Sequence, residues 1–171
     1  ARNEISLSIA TTGAYSLDVK SINGTAQTIT FATTSSSGDG LSAAISAINE
    51  QSSKTGVTAA LNSAGSAIVL TSATGDDIQL GKTSGGSNAG AITVTKLKAD
   101  GGTVAGTGTI NAATNATNAV TAGGYLVLDS KLSFAVTSSV AGNTYASDTS
   151  GLKKVADLDV STFSKASDAL K

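Results

Sequence analysis

Histidine and cysteine are both missing from this chain of 171 residues, as are proline, methionine and tryptophan. Without cysteine, no disulfide can staple the fold or report its redox compartment. Without histidine, the commonest general base and the commonest metal ligand go together. Aromatic residues are scarce at 4%, so any core must be built from Ile, Val, Leu and Ala. Charge is equally sparse at 13%, which leaves Ser, Thr, Asn and Gly to cover the surface. The net charge is −1 with a pI near 5.2, and no basic cluster is longer than Lys153-Lys154. A phosphate-backbone binder needs a basic face, so neither nucleic acid nor an anionic membrane is an expected partner. No apolar run approaches the ~18 residues of a membrane span, and no charged start with an apolar core marks a secretory signal.

What is present reads as folded and β-rich. A disordered tail would carry more charge, Pro and Glu, whereas a polar but weakly charged balance is common in extracellular bacterial surface proteins. At 16.6 kDa the chain has room for one good-sized core or two small domains. It opens at Ala1-Arg2 without Met, as expected of a piece excised from a longer protein, and Ile5, Leu7 and Ile9 alternate as in an entering strand. Tyr15 to Ile22 and Thr28 to Thr33 alternate around Asn23-Gly24, a strong hairpin signal. Leu41, Ala44, Ile45 and Ile48 then recur at helical spacing, with Asp39 where an N-cap belongs and Gly56 as the stop. Val57 to Leu61 and Ala67 to Thr71 form a second hairpin across the turn-rich residues 62–66. Hairpin, helix and hairpin make a ββαββ module, and the fold class expected is α+β, β-dominated, with further β-hairpins.

Downstream, Ser72 to Asn88 reads as a loop around one short strand anchored by Ile78 and Leu80, and Ala91 to Leu97 as a better strand. Gly101 to Gly124 is low in complexity. Its Ala113, Ala116, Ala119 and Val120 suit a weak helix, while the surrounding Thr and Asn suit a loop. Tyr125 to Leu128 and Leu132 to Thr137 read as another hairpin, closed at Asp129-Ser130. Its wording echoes the first one, which fits either a degenerate repeat of the module's opening or a limited alphabet producing similar hairpins. At the end, Ser161 or Thr162 caps a helix with Phe163, Ala166, Ala169 and Leu170 on one face.

Two stretches resemble a known family. Residues 44–49 (AISAIN), followed by Thr55-Gly56-Val57-Thr58-Ala59, Leu61-Asn62, Gly65 and Ile68-Val69-Leu70-Thr71-Ser72, are similar to the insertion motif of the variable central region of bacterial flagellins. Related copies occur in filament-cap and hook-associated proteins. The succession Leu158-Asp159-Val160-Ser161-Thr162 and then Ala169-Leu170 resembles the point where flagellin chains re-enter the long C-terminal core helix. The resemblance implies a variable outer domain over residues 1–145, with the insertion module at about 13–72 and a β-rich second lobe at about 73–140. Residues 146–171 would then lead back toward the filament core. It also implies a structural subunit of the extracellular flagellar filament that serves motility and presents an antigenic surface. Its partners would be neighbouring flagellin subunits, through core helices outside this chain, together with antibodies and glycosyltransferases acting on exposed hydroxyls such as Ser35, Ser36 and Ser37 or those of Thr114 to Thr121. The chain alone is expected to be monomeric. Two alternatives stay open: an outer domain of a cap or hook-associated protein, and a carbohydrate-binding adhesin domain, which needs an exposed aromatic platform or a calcium site.

Chemical motifs are thin. Gly81-Lys82-Thr83 ends like a phosphate-binding loop, but Asp76 stands where the first Gly is required and a carboxylate there repels phosphate. Gly106-Thr107-Gly108 lacks the third Gly of a dinucleotide fingerprint. Ser150 and Lys153 fit a Ser-x-x-Lys nucleophile, a pattern that a Ser-rich chain produces by chance. Asp76-Asp77 and Asp157/Asp159 are paired carboxylates whose neighbours supply no third ligand at loop spacing. Asn23 and Asn115 head N-glycosylation sequons, a weak reading for a bacterial chain. The zinc peptidase that some flagellins carry in this region needs a His-Glu-x-x-His helix, impossible without His. The expectation is therefore a non-enzymatic chain with no catalytic, cofactor-binding or metal residues and no cofactor.

Overall fold

The computed structural model describes residues 2–21, 25–98, 101–112, 119–123, 132, 135–136 and 148–149. The chain divides into two compact units, Ala1–Tyr125 and Leu126–Lys171. The first consists of two antiparallel sheets. Strands β1 (Asn3–Ile9), β4 (Val57–Leu61), β5 (Ile68–Ser72), β7 (Ile92–Leu97) and β8 (Thr103–Ile110) form one in the order β4-β5-β1-β7-β8. Strands β2 (Gly13–Lys20), β3 (Gln27–Thr33), β6 (Ile78–Lys82) and β9 (Ala119–Ala122) form the other in the order β3-β2-β6-β9. The α+β, β-dominated class and the ββαββ order hold.

Period-two alternation decides which face each strand buries. Ile5, Leu7 and Ile9 of β1 are buried, and so are Tyr15, Leu17 and Val19 of β2. They meet Ile68, Leu70, Ile92, Val94, Ile78 and Leu80 in a single cluster drawn from both sheets. Serine and threonine take many of the alternate outward positions. Each buried Ile, Leu or Val contributes about 1.5–3 kcal/mol over its exposed state, so a core this poor in aromatics depends on many aliphatic contacts. Tyr15 and Phe31 sit opposite each other in the β2–β3 register and stack with centroids 5.5 Å apart.

The two expected hairpins lie in different sheets. β2 and β3 pair from Gly13↔Thr33 to Val19↔Gln27, while β4 and β5 pair from Val57↔Ser72 to Leu61↔Ile68. Helix α1 (Ser42–Glu50) packs on both β3 and β4 instead of lying on one hairpin. Leu41, Ala44 and Ile48 are buried and Ile45 partly so, as their spacing requires. Asp39 is not the helix cap. It falls in a 3₁₀ turn, Gly38–Leu41, which delays α1 to Ser42, and Ser42 Oγ donates to the Asp39 carbonyl at 2.6 Å. A short helix α2 (Ser52–Thr55) follows and ends at Gly56, whose φ of 68° is left-handed and costs a glycine least. The Asn23-Gly24 turn lies outside the described residues.

The segment from Gly101, expected as loop or weak helix, is strand over most of its described residues. Thr103–Ile110 is strand β8, paired with β7 from Ile92↔Ile110, with a register shift between Thr95 and Leu97. Ala119–Ala122 is strand β9, paired with β6 from Ile78↔Ala122 to Gly81↔Ala119. Low complexity hid a period-two pattern in which Gly occupies the inward slot. A Cβ on Gly108 would lie 2.5 Å from Val120 Cγ1, so glycine there lets β8 and β9 approach across the core. In the second unit, Ala135–Val136 (β10) pairs antiparallel with Asp148–Thr149 (β11). The first strand of the hairpin expected at Tyr125 to Leu128, and the helix expected at Phe163 to Leu170, lie outside the described residues.

Gly108→Ala is expected to destabilise the chain by about 1–3 kcal/mol through overpacking, and adding Val120→Ala to recover much of that loss. Urea unfolding of the two single variants and the double variant checks this, and simple additivity would contradict the close approach.

Candidate functional site

Helix α1 and the two strands it touches form the most elaborated region of the first unit. The Asn49 side chain, on the last turn of α1, makes two hydrogen bonds to one residue of β4. Its Nδ2 donates to the Ala59 carbonyl at 2.9 Å, and its Oδ1 accepts from the Ala59 N–H at 2.7 Å. An amide carries a donor and an acceptor side by side, the pair that a neighbouring strand's backbone presents. Thr55 Oγ1 accepts from the Val57 N–H at 3.2 Å, closing the first residue of β4 as well. The β4–β5 loop is organised by Asn62, whose Oδ1 accepts from the Ser66 and Ala67 N–H groups at 2.8 and 3.1 Å. The Gly38 N–H donates to the Gly65 carbonyl at 2.7 Å, tying the 3₁₀ turn to that loop.

Two further asparagines fasten the ends of the sheets. Asn3 is fully buried, and its Nδ2 donates to the Ala122 carbonyl at 2.7 Å and to the Asp76 carbonyl at 3.0 Å, so β1 is joined to the other sheet. Asn88 Oδ1 accepts from the Ser16 N–H at 2.8 Å, beyond the point where β6 stops pairing with β2. Sequence reasoning gave none of these amides a role. For Asn49 a signal was available, because asparagine in a helix competes with the backbone and is unfavourable unless its amide is used elsewhere.

The chemical motifs are not brought together. Gly81 and Lys82 end strand β6, and Thr83 Oγ1 donates to Asp18 Oδ1 at 2.8 Å beside a similar bond of 2.7 Å from Thr28. No helix N-terminus follows among the described residues to hold phosphate. Asp76 accepts from the Thr74 hydroxyl in the β5–β6 turn, and Asp77 stands exposed beside it near Gly123. Among the described residues, no group of three or more His, Cys, Asp or Glu is placed to hold a metal, and no helix is long and apolar enough to cross a membrane. Described aromatics are Tyr15 and Phe31, both inside the core. Ser36 and Ser37 are exposed, whereas Ser35 Oγ donates to the Ser37 carbonyl at 2.6 Å. Thr121 is exposed on β9 and accepts from Gln79 Nε2 at 3.0 Å. Asn23, Asn115, Thr114, Ser150, Lys153, Asp157 and Asp159 lie outside the described residues.

Among the described residues, one titratable group is perturbed by its surroundings. Burial pushes the Tyr15 phenol above its ordinary value of 10.0, against a smaller opposite pull from the Gly90 backbone hydrogen bond. The hydroxyl donates to the Thr11 carbonyl at 2.5 Å, a bond that also requires the neutral form. With the folded value raised, this contribution to stability is complete below pH 10.0 and is lost as pH rises through the folded value. Tyr15→Phe is expected to cost about 1 kcal/mol at neutral pH by losing the hydroxyl's bond and to flatten the alkaline fall in stability. Urea unfolding at a series of pH values on both sides of the phenol range checks it, and an unchanged alkaline slope would contradict it.

Comparison with known proteins places a family on this region. Residues 21–74 match the family model described as the flagellin hook IN motif. No curated protein matches the chain. The matched stretch runs from the end of β2 through β3, α1, β4 and β5, so it gives one strand to one sheet, two to the other, and the helix that joins them. Asn49, Gly56, Ala59 and Asn62, which hold that helix and its hairpin in place, all fall within it, so residues 21–74 of this chain carry the flagellin hook IN motif.

Proposed function

We infer that this chain is a surface-exposed variable domain of a bacterial flagellar filament subunit, with motility and an antigenic outer surface as its contribution. The observation that carries the reading is the insertion-motif match over residues 21–74. In this reading residues 1–145 project outward and residues 146–171 lead back toward core helices outside this chain. Those helices polymerise with neighbouring subunits, so the chain alone is monomeric. The domain is extracellular, faces antibodies and catalyses no reaction. Strands whose outward positions are largely Ser and Thr suit such a role, since an uncharged hydroxylated face is wetted without attracting charged ligands. Ser36 and Ser37 are exposed hydroxyls open to glycosyltransferases.

A second reading is favoured by the family description itself, which names the hook. An outer domain of a hook-associated or cap protein uses the same motif. Immunogold electron microscopy on the source cells separates them, with antibodies raised against the purified chain. Labelling along the whole filament is expected. Label confined to the hook–filament junction or to the tip would replace the first reading by the second, and label absent from flagella would overturn both.

A further inference from the structure

Strand β4 is an edge of its sheet, and its sequence carries none of the features that usually keep an edge from pairing with another chain. Val57-Thr58-Ala59-Ala60-Leu61 has no charge and no proline, and its register with β5 runs without a bulge. Of the other edges, β9 has four residues and the β7–β8 register is interrupted between Thr95 and Leu97, while β3, a seven-residue edge with an unbroken register to β2, is packed against α1. What β4 has instead is the amide of Asn49, which occupies both the N–H and the C=O of Ala59 at 2.7 and 2.9 Å, and Thr55 Oγ1, which takes the N–H of Val57. In an antiparallel ladder alternate residues exchange both bonds with one neighbour. Ala59 therefore holds the central pair of groups with which β4 would accept a further strand.

We propose that Asn49 is an edge cap: its side-chain amide stands in for a neighbouring strand and keeps β4 from pairing with β4 of a second copy of this chain. The occupant is a second copy because antiparallel pairing about Ala59 is self-complementary, each copy offering the same donor and acceptor across a two-fold axis. The inference rests on the geometry of α1 and β4 and holds whichever flagellar position the chain occupies. Outer domains displayed side by side on an assembly are crowded, the setting in which an open edge does most harm.

The test is sedimentation velocity over a concentration series on the parent chain and on Asn49→Ala, with circular dichroism to establish that each is folded. Alanine favours a helix more than asparagine does, so the substitution removes the cap without weakening α1 itself. Asn49→Ala is expected to dimerise about tenfold or more tightly than the parent, the scale of one exposed pair of hydrogen-bonding groups. Adding Ala60→Lys, which places a like charge on each paired strand, is expected to restore the monomer. Ile48→Val, which loosens α1 but keeps the amide, is expected to stay monomeric. Asn49→Asp keeps the acceptor and loses the donor, so it carries the test if the alanine variant does not fold, with weaker dimerisation expected. A folded, capless variant that remains monomeric overturns the proposal, and so does association that Ala60→Lys leaves unchanged or that Ile48→Val shares.

Discussion

Burial of α1 against the edges of two sheets at once is the constraint on which the first unit depends. A pair of facing sheets is open along its sides, and an aliphatic core loses stability wherever water reaches it. On one side, Leu41, Ala44 and Ile48 put an apolar helix face against β3 of one sheet and β4 of the other. On the other side, Gly108 lets β8 come close to Val120 of β9. The insertion motif spans the first of these closures. Its own strands are divided between the sheets and pair with strands outside the match, β2 beside β3 and β1 beside β5. A motif with that geometry is spliced into its host fold, unlike a bead added to it.

Low charge has a structural counterpart in how backbone groups are satisfied. Where other chains use ion pairs or charged caps, this one repeatedly uses asparagine. Asn3 joins β1 to the far sheet, Asn49 holds α1 to β4, Asn62 builds the hairpin loop and Asn88 extends the pairing of β2. An amide binds a backbone donor and acceptor without the desolvation cost of a buried charge. These four ties are neutral, and many outward strand positions carry hydroxyls.

Much of this was legible in the residues. Alternation in Tyr15 to Val19 and in Ile68 to Leu70, and the helical spacing of Leu41, Ala44 and Ile48, mark the faces that the fold buries. Gly56 marks the end of the helical segment because a left-handed residue is needed there. Three things were not legible, each for a physical reason. The helix start moved from Asp39 because a 3₁₀ turn intervenes, and local capping rules do not encode that choice. Strand β8 was hidden because glycine at Gly108 removes the apolar signal from an inward position, and its use depends on Val120 of another sheet. The allocation of two hairpins to two sheets is set by β1 pairing with both β5 and β7, which no local pattern reports. At the candidate site, Asn49 stood in a recognisable motif, yet its partner Ala59 is fixed by tertiary packing alone.

Native-state hydrogen exchange across the first unit tests most directly whether α1 makes the two sheets one cooperative body. Protected amides of Leu17 in one sheet, Leu70 in the other and Ile48 in the helix are expected to exchange through a common opening, with the same free energy and the same denaturant dependence. Separate openings, with one sheet exchanging while the other and α1 stay protected, would contradict the account.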